Sequence, residues 1–163
     1  MFKEIYIELC EVITEKMPQI KWIDLWTNQT DYLEQEIPFP TPAIFIEFNA
    51  NSFSNVGRFC QDIDLAITFH IVVENNAETF YGSYNQQSAL TVLDYINDLQ
   101  KNLHACSGQN YSKLSRSALQ QLSFDNIQHF SITYNSIVRD YSAEPNYINQ
   151  ILPNNDFKII TNQ

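Results

Sequence analysis

The chain has 163 residues, 44% of them hydrophobic and 13% aromatic, enough for one domain with a packed core and no metal or disulfide staple. That composition excludes a chain disordered throughout. Nine basic residues against nineteen acidic ones leave a formal charge of −10, which repels phosphate and argues against electrostatic binding of nucleic acid or anionic membranes.

Residues 2–17 predict an amphipathic helix. Phe2, Ile5, Leu9, Val12, Ile13 and Lys16 keep helical spacing, Glu4, Glu8, Glu11 and Glu15 take the other side, and Pro18 stops it. Residues 20–26 read as a strand with apolar side chains on both faces. A polar loop over 27–36 and a stiff proline-rich connector through Pro38, Pro40 and Pro42 lead into an apolar strand from Ala43 to Phe48. Asn49 to Gly57, rich in turn formers, predicts a loop. From Ile63 to Val73 every odd residue is apolar, while Asp62, Asp64, Thr68 and His70 face the other way, the period of a long half-buried strand.

Ser83 with Gln86 three residues later matches a capping box. Behind it Ala89, Val92, Leu93, Ile96, Leu99 and Leu103 keep one apolar stripe to about residue 105, and Gly108 stands where a terminating glycine is expected. Ser117–Phe124 and Ile127–Tyr141 alternate as two further strands, joined by Asp125-Asn126 as a tight hairpin turn. The order α-β-β-β-α-β-β predicts an α+β protein, a two-layer sandwich of a mainly antiparallel sheet with both helices on one face. Residues 1–141 form its single domain, and 142–163 an arm or partly disordered tail.

Catalytic and metal-binding patterns are sparse. Cys10, Cys60 and Cys106 are odd in number and widely spaced, and read as reduced structural thiols. His104 and Cys106 lack a second ligand pair, and His70 with Asp62 and Asp64 is spread too far along a strand for one coordination sphere. A solvated or subunit-facing sheet surface accounts for His70, and His129 alternates outward. Glu34, Glu36 and Glu47 lack the apolar surroundings of a raised-pKa acid. Three glycines build no phosphate loop, and no GxSxG or HExxH is present. No catalytic residue, cofactor or metal is expected. The start Met1-Phe2-Lys3-Glu4-Ile5 lacks the basic and apolar regions of a signal peptide, and no apolar run approaches membrane-spanning length. The expectation is a protein kept inside a cell, or inside a particle assembled there.

The most distinctive stretch is Ile20-Lys21-Trp22-Ile23-Asp24-Leu25-Trp26, followed by Asn28-Gln29 and then Pro38-Phe39-Pro40-Thr41-Pro42-Ala43-Ile44-Phe45-Ile46-Glu47-Phe48. With a helix before it, an Asp62-Ile63-Asp64-Leu65 strand and a Leu93-Asp94 helix after it, this arrangement resembles the tail-terminator or tail-completion proteins of tailed bacteriophages and prophages. The resemblance spans roughly residues 1–141 and has no diagnostic motif. It implies a non-enzymatic α+β ring subunit that acts as a homo-oligomer, caps a tail tube and joins it to the head. Its partners would be itself and the tail-tube and head-completion proteins, first in the bacterial host cytoplasm and then in the virion tail. A small monomeric adaptor using the polar sheet face is the alternative, and an enzyme with a dispersed site ranks last.

Candidate partner contacts follow from apolar side chains at stiff or exposed places. In the connector these are Gln29, Tyr32, Leu33 and Phe39, since rigid aromatic loops lose little entropy on binding. The strand before it adds Trp22 and Trp26, two large aromatics on a strand apolar on both faces. The C-terminal arm adds Tyr147, Ile151 and Phe157, in a segment too apolar for an idle tail. For the connector, folding back over the chain's own sheet is an equal reading, as is packing under the 27–42 loop for Trp22 and Trp26; for the arm, a local lid over the domain's exposed face is the slightly favoured reading.

Overall fold

The computed structural model describes residues 1–30, 38–122 and 126–144. In chain order these form α1 (Phe2–Lys16), β1 (Trp22–Leu25), β2 (Ala43–Gly57), β3 (Cys60–Glu74), a single turn α2 (Gln86–Ala89), α3 (Thr91–Leu103), β4 (Ser115–Gln121) and β5 (Ile127–Asp140). One five-stranded sheet carries them in the order β1-β2-β3-β5-β4. Only β1 with β2 is parallel; every other pair is antiparallel. The α+β class, the element order and the two helices on one face are as the sequence predicts. The connector positions 31–37, the turn residue Asp125, the end of the fourth predicted strand at Phe124 and the arm beyond Glu144 lie outside the described residues.

The main core lies between helices and sheet. Ile5, Leu9 and Ile13 of α1 and Val92, Ile96, Leu99 and Leu103 of α3 meet the odd residues of β3, Ile63 to Ile71, together with Ile132, Tyr134 and Val138 of β5. The period-two alternation drives this directly, because burying one face of β3 places every odd side chain under the helices. Tyr134, fully buried, donates its hydroxyl to Gln100 Oε1 at 2.9 Å, so the phenol brings no unsatisfied group into the core.

Three local expectations are corrected. First, Asn49 to Gly57 is no loop but the outer half of β2, paired with β3 up to Gly57↔Cys60 and broken by irregularities between Ala50 and Ser52 and between Asn55 and Gly57. Hydrogen bonding along a long antiparallel ladder overrides the weak strand preference of Asn and Ser, and the bulges absorb the mismatch. Second, the capping box does not form. Ser83 donates its hydroxyl to the Glu78 carbonyl, Gln86 accepts from the Gly82 amide, and the helix starts one turn later and restarts at Thr91. Third, Gly108 does not end α3, whose last residue is Leu103. It lets the following loop pass against α1. A Cβ there would stand 2.0 Å from Glu8 Oε2 and 2.4 Å from the Tyr111 ring. Glu8 in turn accepts from the Gln109 amide at 3.0 Å and from the Asn110 side chain, which staples the loop to α1.

Candidate functional site

The second face of the sheet is closed at one end and open at the other. At the closed end Phe39, Ala43, Phe45, Val72 and Ile127 form a separate small core, with Trp26 packed against it. Phe39 stands edge-on to Phe45 with ring centres 4.8 Å apart, and Trp26 lies flat on His70 at 3.9 Å and 7°. Two residues singled out as partner contacts therefore pack onto the chain's own sheet. Phe39 is only 8% exposed and presents no ring outward. Gln29 is also engaged locally, accepting from the Thr27 amide and donating to the Leu25 carbonyl, beside Asn28 in the left-handed region at φ 60°. Trp22, by contrast, is 42% exposed on the edge strand. Tyr32, Leu33, Tyr147, Ile151 and Phe157 lie outside the described residues.

Under Trp26 lies a buried polar line that the sequence reading misses. His70 is buried, not solvated, and His129 is not outward-facing but buried as well. His70 Nδ1 is 3.0 Å from His129 Nε2, and His70 Nε2 is 3.1 Å from Glu47 Oε2. An ionised carboxylate only accepts, so His70 carries its proton on Nε2 and donates it to Glu47. His70 Nδ1 is then left to accept from His129 Nε2–H. Burial pushes His70 below the ordinary imidazole range, against the pull of Glu47. It pushes His129 down to about 4, with the charge on His70 adding to the effect. For Glu47 burial acts upward, but hydrogen bonds from Asn49 and His70 hold the carboxylate below its usual value. Glu47 therefore does have a setting of its own, created by a strand that pairs with it more than twenty residues later. No sequence signal marks the trio, because Glu47, His70 and His129 meet only through the register of three strands.

Both nitrogens of His70 are occupied within this line and Trp26 covers its ring, while the Glu47 side chain at one end is 35% exposed. Among the described residues no cluster of three or more His, Cys, Asp or Glu side chains could hold a metal ion. Nor is any described helix long and apolar enough to cross a membrane.

The open end is different. From Asn49 to Gly57 every β2 residue is exposed, and so is all of β4. At this end Phe53, 60% exposed on the helix side, and Ile137, 59% exposed on the other face, stand near Val56 and Tyr141, while Leu119, 48% exposed, lies on β4 level with the closed end. Arg139 and Asp62 make a two-pronged ion pair across this ribbon, with contacts of 2.7 and 2.9 Å. A second exposed group, Phe80, Tyr81 and Tyr84, caps the loop ahead of α2. Phe53 falls in the stretch read as a loop, so a search for apolar loop residues beyond the proline connector would have found it.

No family model matches this chain, and no curated protein matches it. Among solved structures, it is similar to a chain from the virion of a native gene transfer agent particle. The TM-score is 0.41 at 6% identity, covering 74% of this chain and 79% of that one.

Proposed function

We propose that the protein is a structural assembly subunit of a phage or prophage tail, working without catalysis as one member of a ring that caps the tail tube or joins it to the head. The observation that carries this reading is the ribbon formed by the outer halves of β2, β3 and β5. Its β2 margin is exposed from Asn49 to Gly57, and Phe53, Val56, Ile137 and Tyr141 stand in solvent, while Ile63, Leu65 and Val138 of the same ribbon stay buried in the core. Exposed apolar side chains along a strand margin fit contact with another protein. The resemblance of residues 20–48 to tail-terminator and tail-completion proteins supports the same reading. So does the burial of His70 and His129 beneath Trp26.

The adaptor alternative needs the polar sheet face as its docking surface. Trp26 and Phe39 cover the closed end of that face, which favours the ring reading. The deciding experiment is loss of the gene in its phage or prophage followed by complementation. The expected result is unjoined heads and unterminated tails on loss, with normal particles restored by the wild-type gene. Purified protein should form rings at the ends of isolated tail tubes in electron micrographs. Complete, infectious particles without the protein would overturn the proposal.

A further inference from the structure

Among the described residues the sheet has two open margins, on opposite sides. On one side β1 covers β2 only from Ala43 to Ile46, with Trp26 adding a last bond to the Ile46 carbonyl, so from Glu47 to Gly57 β2 is itself the edge. On the other side β4 pairs with β5 through one edge only, and its other edge ends the sheet. Such edges invite pairing with another chain unless charges or prolines guard them. Here charge and proline guard them little beyond Glu47, although irregularities between Ala50 and Ser52 and between Asn55 and Gly57 flank Phe53 on β2. Phe48 to Gly57 contains no charged residue and no proline, and Ser115 to Gln121 contains only Arg116. On a chain of net charge −10, these are margins where two copies meet without like-charge repulsion.

We infer that β4 of one copy adds to the outer half of β2 of the next, continuing the sheet from subunit to subunit, with Leu119 set opposite Phe53. The inference rests on the ring reading and names its contact. Strand directions agree with it. β2 and β4 run in opposite senses within one sheet, so copies placed side by side in the same orientation bring them together antiparallel. The faces agree as well. Leu119 pairs with Ile132 and Phe53 with Ile63, both residues of the core beneath the helices, so the two exposed apolar side chains fall on the same face of a continued sheet. A directly opposed apolar pair of this kind is the ordinary unit of cross-strand stabilisation. Because the two margins differ, the contact is head-to-tail, the type that generates rings when the rotation closes. Leu119 stands level with Phe69 and Phe53 level with Ile63. Each copy is therefore stepped along the strands by roughly 20 Å at ~3.4 Å per residue, which inclines the strands to the ring axis as in a closed barrel.

Disulfide trapping of the full chain tests this pairing. With Leu119 opposite Phe53, Ala118 falls opposite Ser54, both exposed and on the other face. Two variants are made, Ser54→Cys and Ala118→Cys, each with Cys60→Ser to remove the nearest native thiol, and each checked to melt as the parent does. Oxidation of the mixture should give a dimer whose linked peptides join positions 54 and 118. Either variant alone should give none at those positions, and adding Leu119→Glu should abolish the linked dimer. Links of 54 to 54 or 118 to 118 would show a two-fold contact and overturn the inference, as would the absence of any link. If rings form on tail tubes while the 54–118 link stays absent, the edge pairing fails and the proposed function stands. If no rings form at all, both fall.

Discussion

Acidification should destabilise this protein through His129 well before its carboxylates titrate. In the folded chain burial holds the imidazole down to about 4, against 6.5 when free. As pH falls below about 6.5 the unfolded chain takes up a proton that the folded chain refuses until about 4, so stability drops across that window and levels off below it. The whole displacement corresponds to about 3 kcal/mol at 1.36 kcal/mol per pH unit, of which about 2 kcal/mol falls between pH 7 and pH 5. His70 is lowered in the same sense and adds to the loss. Glu47 and Asp62, held below their usual values of 4.5 and 3.8, give up their stabilisation only under more acid conditions. The perturbation is His129→Gln, whose amide still offers His70 a donor. The assay is urea unfolding followed by circular dichroism at pH 7, 6 and 5. Relative to the variant, the wild-type chain should lose about 2 kcal/mol more between pH 7 and pH 5. The comparison reads a slope, so a constant cost of the substitution cancels. Equal losses in the two proteins would refute the buried-neutral account of His129.

Other outcomes follow from single contacts. Trp26→Ala should cost about 2–3 kcal/mol in chemical unfolding, a little under a fully buried tryptophan because the ring is half-buried, and should move the His70 ring resonances toward ordinary titration. Gly108→Ala should cost about 1–3 kcal/mol, since the added methyl meets both Glu8 and the buried Tyr111 ring; an unchanged melting curve would show that the loop shifts freely. Tyr134→Phe should cost about 1 kcal/mol from loss of the bond to Gln100, without changing the fold by circular dichroism. Phe39→Ala should lower stability by about 3 kcal/mol; intact stability with lost assembly would instead return Phe39 to the contacts with partners.

The layered architecture was legible because its signals are local. Six odd apolar positions from Ile63 to Val73 and the stripes of α1 and α3 each state which side faces the core, whatever the distant chain does. The outer half of β2 was not legible. Asn49, Asn51, Ser52, Ser54 and Asn55 are turn formers by preference, and they become a strand because β3 lies alongside to complete their hydrogen bonds. The buried trio was hidden for a related reason. Whether His70 faces water depends on Trp26 arriving from β1 and His129 from β5, contacts that no window of sequence contains. Among the candidate contacts, the prolines and aromatics of the connector do not say whether Phe39 turns toward a partner or back onto Phe45.

The central position of β3 bears on how the chain is made. One neighbour, β2, is joined to it by a short turn and pairs as soon as both have left the ribosome. The other, β5, matches Ile63 with Val138 and Ile71 with Phe130, so it arrives only when nearly the whole domain has been synthesised. During that interval the hairpin carries an apolar strand with an open inner edge, and pairing between distant segments is slow compared with local closure. Yield during expression should therefore depend on temperature and chaperone supply more steeply than the final stability would suggest, because the vulnerable species is a nascent hairpin waiting for its last strand.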